Sequence, residues 1–166
     1  MRILWTFGLA MFLFACDQAA EPAAEEVVDN TTDAELVDMS KAYQTAYINN
    51  DYDGCTVYMT DAFTTTVFNS NGSPLVDQTE EQITLERAWA FDEFVMANHR
   101  LERSGDGGTV VITFDTEGSL SFEDGPQNIP YSTRASQVWV NTADGWKIMH
   151  SHWSPKAEAQ GIPGEE

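Results

Sequence analysis

Apolar residues recur every three to four positions between residues 32 and 50, a spacing that predicts an amphipathic helix. The segment begins with TDAE, in which Thr32 can cap the helix and Glu35 can return a hydrogen bond to it, as in a capping box. A second, short helix is predicted over residues 51–59. The next apolar stretch, AFTTTVFN, is rich in Phe, Val and Thr and precedes NSNGSP, which is typical of a strand that enters a turn.

A second capping box, TEEQ, opens the next segment at Thr79. Ile83, Ala90 and Phe94 follow at spacings that fit one side of a helix, so the pattern predicts a long helix that ends at about Ala97. After residue 109 the period changes to two, which predicts a long, half-buried strand. Its apolar face carries Val110, Ile112, Phe114, Leu120 and Phe122.

The last two predicted strands, YSTRASQVWVNT and GWKIMHSHWS, are joined by TADG, whose Asp-Gly pair is a strong hairpin signal. Helices followed by a run of antiparallel strands indicate an α+β fold. Alternation along the two strands predicts which side chains share a face. We expect four polar side chains to face inward: Arg134, Ser136, His150 and His152.

Residues 1–15 have the organisation of a signal peptide, with a charged start and an apolar run too short to span a bilayer as a mature helix. The run ends in LFAC, which resembles the bacterial lipobox, so we expect Cys16 to be lipidated. The alternative is an ordinary signal peptide with Cys16 in its flanking region. Residues 16–31 are predicted to form the lipidated end and a flexible acidic tether, and residues 156–166 a disordered tail.

Composition limits the classes of partner. The chain has 166 residues, a length that suits one domain, and a formal net charge of −19 from 27 acidic and 8 basic residues. Nucleic acid is not expected as a partner because phosphate binding requires clustered Lys and Arg. With Cys16 lipidated, Cys55 is the remaining thiol, so no disulfide within the chain is expected. We interpret Cys55 as a small buried hydrophobic residue rather than a nucleophile.

The predicted hairpin resembles the C-terminal hairpin of the SnoaL-like and DUF4440 families, which belong to the NTF2-like superfamily and are related to the association domain of calmodulin-dependent kinase II. The resemblance covers residues 32–155 and implies an NTF2-like cone, in which a curved antiparallel sheet packs on about three helices around a pocket. It also implies dimerisation through the outer face of the sheet. The residues that carry the resemblance are Arg134, Ser136, Val138, Trp139, Asp144, Gly145, Trp146, Ile148, His150, His152 and Ser154.

Three interpretations of His150 and His152 remain open. A zinc site would need a third protein ligand, for which His99 is a candidate, but nothing in the spacing selects it. Either histidine could act as a general acid or base, with Arg134 as a partner for an anion. The third interpretation, that they line the pocket without chemistry, is the one we favour. We therefore predict no metal and no cofactor.

Catalytic members of the superfamily use an inward Asp as base, which makes Asp92 a further catalytic candidate beside His150 and His152. Aromatic residues can wall a pocket, although they more often form core. The predicted ligand-binding residues are Arg134, Ser136, His150, His152, Tyr43 and Trp89.

The sequence thus predicts a homodimeric lipoprotein of the bacterial cell envelope that faces the periplasm, with the choice of membrane open. Its predicted function is to bind a small apolar or carboxylate-bearing ligand in the cone. One alternative is an enzyme of the isomerase, cyclase or hydratase type that uses a pocket histidine with Arg134. The other is a dimeric scaffolding domain. Between catalysis and binding, we favour binding.

Overall fold

The computed structural model describes residues 30–61, 65–157, 159 and 161–163. The predicted signal peptide, Cys16 and the tether up to residue 29 lie outside the described residues. Among the residues that are described, no helix is both long and apolar enough to cross a membrane.

Both predicted N-terminal helices are confirmed. Helix α1 spans Asp33–Ile48, and its capping box is complete: the Glu35 backbone N–H donates to Thr32 Oγ1 at 3.3 Å, and the Thr32 N–H donates to Glu35 Oε2 at 2.7 Å. Helix α2 spans Tyr52–Thr56 and is capped by Asp51, whose carboxylate accepts from the Gly54 N–H at 2.9 Å.

The predicted long helix from Thr79 to Ala97 is wrong. Thr79 does cap a helix, but that helix, α3, spans only Glu80–Ile83. The chain then forms strand β3, Trp89–Arg103. Register shifts in β3 at Phe91/Glu93 and at Ala97/Arg100 mark bulges, which break the alternation of side chains. Aromatic contacts place Phe91 and Phe94 on the same side, three residues apart, which is why the sequence resembled a helix.

The remaining strands form one six-stranded sheet in the order β2-β1-β6-β5-β4-β3. Their bounds are β1 Thr66–Phe68, β2 Val76–Asp77, β4 Thr109–Phe122, β5 Ile129–Thr142 and β6 Gly145–Pro155. The sheet is mixed, because β1 pairs with β6 in parallel while the other neighbours are antiparallel. The hairpin between β5 and β6 is confirmed, and Gly145 in its turn has a positive φ of 93°.

The core lies between the helices and one face of the sheet, which we call the inner face. Trp139 on β5 and Leu36 on α1 are fully buried there. The inner face also carries a buried polar link: the Ser40 hydroxyl donates to Gln137 Oε1 at 2.6 Å, and the Trp139 indole N–H donates to the same oxygen at 3.0 Å. These two hydrogen bonds connect α1 to β5 and satisfy the buried side-chain oxygen of Gln137. The predicted burial of alternate β4 residues, such as Ile112, is confirmed.

A bulge in β6 decides which residues belong to the inner face. Trp139 pairs with Ile148, whereas the preceding residue, Val138, pairs with His150. Met149 is therefore an extra residue, and the alternation of faces restarts after it. As a result Ser151 and Trp153 are buried on the inner side with Ile148, and the two histidines point to the opposite, outer face.

The described part of the C-terminal segment is packed rather than free. The Ile162 backbone N–H donates to Ser70 Oγ at 2.9 Å. The Asn71 side-chain amide donates to the Pro163 carbonyl at 3.3 Å. Residues 161–163 therefore lie against the loop that follows β1, where the sequence predicted a disordered tail.

Candidate functional site

A cavity of about 190 Å³ opens at one end of the core, between α1, the loop after β1, the start of β3 and the inner face of the sheet. We call it the inner cavity. Its wall is dominated by aromatic rings, which give it a large apolar surface whose ring faces and edges favour particular orientations of a ligand. They are Tyr43, Tyr47, Trp89, Phe91, Tyr131 and Trp153.

Arg87 is the one residue with a charged side chain among the described lining residues. Its Nη1 donates to Asn50 Oδ1 at 2.6 Å. The guanidinium carbon lies 5.3 Å from the centre of the Tyr47 ring and 5.7 Å from that of Trp89. Within the described part of the chain no carboxylate forms an ion pair with it. Rings and a neutral amide therefore hold this cation in place, and its charge is left to attract an anion.

The inner cavity also contains polar groups that do not ionise near neutral pH. Burial raises the pKa of Tyr43 well above its usual value of 10.0, and it raises the pKa of Tyr131 as well. Both phenols therefore remain neutral hydroxyls. Gln78 is 2% exposed, and its Nε2 has no hydrogen-bond partner among the described residues. A buried amide without a partner is costly, so this part of the wall favours a ligand or water with a hydrogen-bonding group.

Two of the predicted ligand-binding residues lie where the prediction expected them. Tyr43 on α1 and Trp89 on β3 both line the inner cavity. Tyr47 and Phe91, which the sequence marked only as aromatic, line it as well. Trp139 belongs instead to the closed core, because its side chain is completely buried and does not reach the cavity.

The other four predicted ligand-binding residues do not reach the inner cavity. Arg134, Ser136 and His152 line a shallow groove on the outer face. Arg134 is exposed, and its Nε donates to Ser154 Oγ at 3.3 Å. The predicted inward orientation of His150 and His152 is wrong because simple alternation along β6 omits the Met149 bulge, which reverses the face of every later residue. Arg134 and Ser136 are on β5, where the prediction assigned the wrong set of alternate residues to the core: Ala135, Gln137 and Trp139 are the buried ones. The four residues do share a face, as predicted, but it is the outer one.

His150 and His152 are held at the outer face by neighbours from β1. The Thr66 hydroxyl lies 2.9 Å from His150 Nδ1, and the Phe68 ring centre lies 5.7 Å from both imidazole centres. Burial, and to a smaller extent the nearby His152, lower the pKa of His150. Among the residues that are described, no three His, Cys, Asp or Glu side chains are grouped as metal ligands would be.

Asp92 also lies outside the inner cavity. It follows Phe91 at the first bulge of β3 and accepts a hydrogen bond from Ser121 Oγ at 2.7 Å on the exposed side of the sheet. None of the three candidate catalytic residues lines the cavity, whose described lining holds no Asp, Glu or His. Cys55 is buried in the core, and this burial raises the pKa of its thiol to about 12, which opposes a nucleophilic role.

Sequence reasoning missed Arg87, Gln78 and Ser70, all of which line the inner cavity. Arg87 lies in the connection between α3 and β3, which the sequence placed inside a long helix. Ser70 lies in the loop after β1, and Gln78 directly follows β2. Neither periodicity nor a motif marks any of them, because loop residues meet at a site only through the packing of the elements they join.

Comparisons with known proteins agree with the observed fold. A profile of the SnoaL-like domain matches residues 37–158. The fold is similar to an NTF2-like superfamily protein from Salmonella enterica serovar Typhimurium LT2, with a TM-score of 0.62, 18% identity, and coverage of 80% of this chain and 96% of that one. No curated protein matches the sequence.

Two further structures share the fold. A ketosteroid isomerase-like protein from Erwinia carotovora atroseptica has a TM-score of 0.60 and 15% identity, over 78% of this chain and 99% of that one. The association domain of C. elegans CaMKII has a TM-score of 0.56 and 16% identity, over 73% and 93%. The predicted NTF2-like α+β cone is thereby confirmed.

Proposed function

The chain belongs to the SnoaL-like domain family, and we propose that its inner cavity binds a small organic anion with an apolar, ring-containing body. The observation that carries the proposal is Arg87, a cation without a carboxylate partner in a described wall that is otherwise aromatic and neutral. A planar guanidinium can bind a carboxylate through two parallel hydrogen bonds. The surrounding rings would cover the apolar part of the ligand.

The charge of the whole protein makes a local cation necessary for this function. At a net charge of −19, the long-range potential repels anions. Repulsion of this kind is screened within about 10 Å at ordinary salt, whereas a contact with Arg87 in a partly desolvated cavity is not. Binding of an anion therefore depends on Arg87 far more than it would in a basic protein.

Binding without catalysis is the function that the cavity supports best. Isomerisation or dehydration at neutral pH needs a group that can accept and return a proton. The ionisable residues that line the described cavity are Arg87 and three tyrosines, and burial raises the pKa of Tyr43 and Tyr131 away from neutrality. The superfamily contains both binding and catalytic members, so the site residues and not the fold support this choice.

The experiment compares naphthalene carboxylate with its neutral amide on the Cys16→Ser protein by calorimetry. We expect the carboxylate to bind more tightly and Arg87→Gln to weaken it about tenfold to a hundredfold, the value of a charged hydrogen bond, while the amide is unaffected. Arg134→Gln is the matched control, because it removes the same charge from the outer face. Equal losses in both variants, or no preference for the carboxylate, would contradict the proposal.

We also propose that two copies of the chain pair through their outer faces. Such a dimer is what the scaffolding alternative requires. Val111 and Val138 pair across β4 and β5 on that face and are half-buried, and Val95 and Met149 are exposed. Light scattering should show a dimer that Val138→Glu dissociates. The control is Val57→Glu, at an exposed valine that follows α2 and belongs to no strand. A monomeric parent protein would refute the proposal.

We propose, finally, that Cys16 anchors the protein to a bacterial membrane. The support is the LFAC sequence directly after an apolar run. Acylation at one cysteine with several chains gives much stronger anchoring than a single chain does. Cys16→Ser should move the protein from the membrane fraction to the soluble fraction, and retention of the variant in the membrane would contradict the proposal.

A further inference from the structure

The inner cavity adjoins a second cavity, with which it shares part of its lining. This second cavity of about 510 Å³, which we call the vestibule, is bounded by the loop after β1. Five residues line both spaces: Tyr47, Asn69, Arg87, Trp89 and Ile162. A ligand that moves between the vestibule and the inner cavity therefore passes these shared residues, Arg87 and Ile162 among them.

We propose that residues 161–163, the C-terminal strap, form a lid over the ligand site, with Ile162 as the residue that closes it. The proposal rests on the proposed binding function of the inner cavity. It adds that the strap limits how fast a bound ligand leaves. Of the residues that the structure describes, Ile162 is the one that lines the inner cavity, the vestibule and a third cavity of about 310 Å³. It thus lies at the junction of all three spaces.

Specific contacts hold the C-terminal strap in this position. The Ile162 N–H donates to Ser70 Oγ at 2.9 Å, and Asn71 Nδ2 donates to the Pro163 carbonyl at 3.3 Å. Gly161 packs directly on the backbone of Ser70, and a Cβ at Gly161 would overlap the Ser70 carbonyl oxygen. The close approach therefore requires glycine at this position for steric reasons alone, since no positive φ is involved.

Because these contacts are few, the C-terminal strap is the part of the cavity wall that can detach. Much of the remaining wall belongs to α1 and to long strands, which are stabilised by many hydrogen bonds and by the core. Among the described residues the strap pairs with no strand, and its hydrogen bonds go to one loop, so it belongs to the least stable part of the site. A cavity of about 190 Å³ remains while the strap is docked, so the strap encloses the ligand space and does not fill it. Docking of the strap should therefore slow ligand exit rather than compete with the ligand.

The test compares Gly161→Ala with Gly105→Ala. A Cβ at Gly161 collides with backbone, whereas a Cβ at Gly105 meets nothing within 4 Å and needs no unusual φ, so Gly105→Ala is a matched control. The probe is naphthalene carboxylate, and its dissociation rate is measured by stopped-flow fluorescence. We expect Gly161→Ala, and deletion of residues 158–166, to raise the rate about tenfold, the value of the lost contacts, while Gly105→Ala leaves it unchanged.

A second readout needs no ligand. Phenylglyoxal modifies arginine, and peptide mass spectrometry follows its reaction at Arg87. We expect faster modification of Arg87 in Gly161→Ala and in the deletion than in Gly105→Ala, because the lid is released. If the probe does not bind the parent protein, the proposed function fails while the modification rates still test the lid. Equal Arg87 modification in all variants, equal dissociation rates, or tighter binding after deletion would overturn the lid.

Discussion

On β5 and β6 the inner and outer faces of the sheet differ in chemistry, although their residues alternate along the same strands. The inner face presents Gln137, Trp139 and Trp153, all buried against α1 or the inner cavity. The outer face presents Arg134 and His152, which are exposed. The core and the cavity thus lie on one face of these strands, and the arginine and the histidines lie on the other. A motif such as GWKIMHSHWS contributes to both faces, so it can be assigned a function only when the face of each residue is known.

The difference has a physical cause in solvation. A charge on the inner face would lose its hydration, so it would need a partner. Arg87 meets this need at the edge of the cavity, with the Asn50 amide and two aromatic rings. On the outer face, charges remain near water and pair at low cost. Lys156 there bridges Asp115 at 3.5 Å and Glu117, and hydrogen bonds from Asn98 and Lys156 help to lower the carboxyl pKa values.

The largest expected effect comes from exchanging the faces by deletion. Without Ser151, an imidazole must take the inward place that Ser151 holds: His152 if the Met149 bulge stays, or His150 if it is lost. We expect the free energy of unfolding to fall by about 5 kcal/mol or more, because an imidazole then enters a desolvated position. Urea denaturation measures the loss.

Deletion of Met149 is the matched control for that experiment. It removes the extra residue, so that His150 still points outward after Ile148 and Ser151 still points inward. We expect a loss of only about 1–2 kcal/mol, from changes in strand curvature at the former bulge. Similar losses for the two deletions would contradict the assignment of faces.

A second, smaller effect compares adjacent residues on the two faces of β5. Trp139→Ala removes a fully buried indole from the core and should lower the free energy of unfolding by about 3–5 kcal/mol. Val138→Ala, one residue away on the outer face, should lower it by about 1 kcal/mol or less, because the side chain is only partly buried. Denaturant titration at equal protein concentration measures both losses. Equal losses would mean that Val138 is as buried as Trp139, which would contradict the assignment of faces.

Local signals were sufficient where one short pattern decides the structure. The capping box at Thr32 and Glu35 predicts the start of α1, and the alternation after residue 109 predicts β4 and its buried face. The Asp-Gly turn at Gly145 predicts the hairpin. In each case the residues that make the signal also make the contacts, so neither tertiary structure nor distant residues were needed.

Bulges explain the errors, because distant contacts stabilise them. The backbone of Ile148, next to the Met149 bulge, is bonded outside the hairpin: its N–H donates to the Tyr58 carbonyl, and its carbonyl accepts from the Thr60 N–H at 3.2 Å and from Thr65 Oγ1 at 3.1 Å. Nothing within GWKIMHSHWS announces these partners. The bulges of β3 had the same effect and turned a strand with an irregular period into an apparent helix.

The candidate site was predictable only in its aromatic part. Tyr43 and Trp89 belong to regular elements, so their side chains could be placed from the pattern. Arg87, Ser70 and Ile162 lie in two connections and in the C-terminal segment, where the chain direction depends on packing against other elements. The charge that now defines the proposed ligand, Arg87, was therefore hidden in a segment whose apparent helical period was misleading.

The smallest expected effect concerns protonation at the outer face. Burial, helped by His152, lowers the pKa of His150 below its usual 6.5, so the unfolded chain binds a proton there more readily than the folded protein does. The contribution of His150 to stability is therefore present above about pH 6.5 and is lost as the pH falls through that region. His99, whose pKa is also lowered by burial, acts with the same sign.

Replacing His150 with Gln should remove this dependence while keeping a polar group within reach of the Thr66 hydroxyl, which now lies 2.9 Å from Nδ1. We expect the stability advantage of the parent protein over His150→Gln to shrink as the pH is lowered from 7.5 to about 5.5, the range in which an ordinary histidine titrates. Taking the difference between the two proteins cancels the effect of acidification on the many carboxylates. A difference that stays constant as the pH falls would show that the outer face does not desolvate His150, and a difference that grows would show that the folded protein favours its protonated form; either would contradict the prediction.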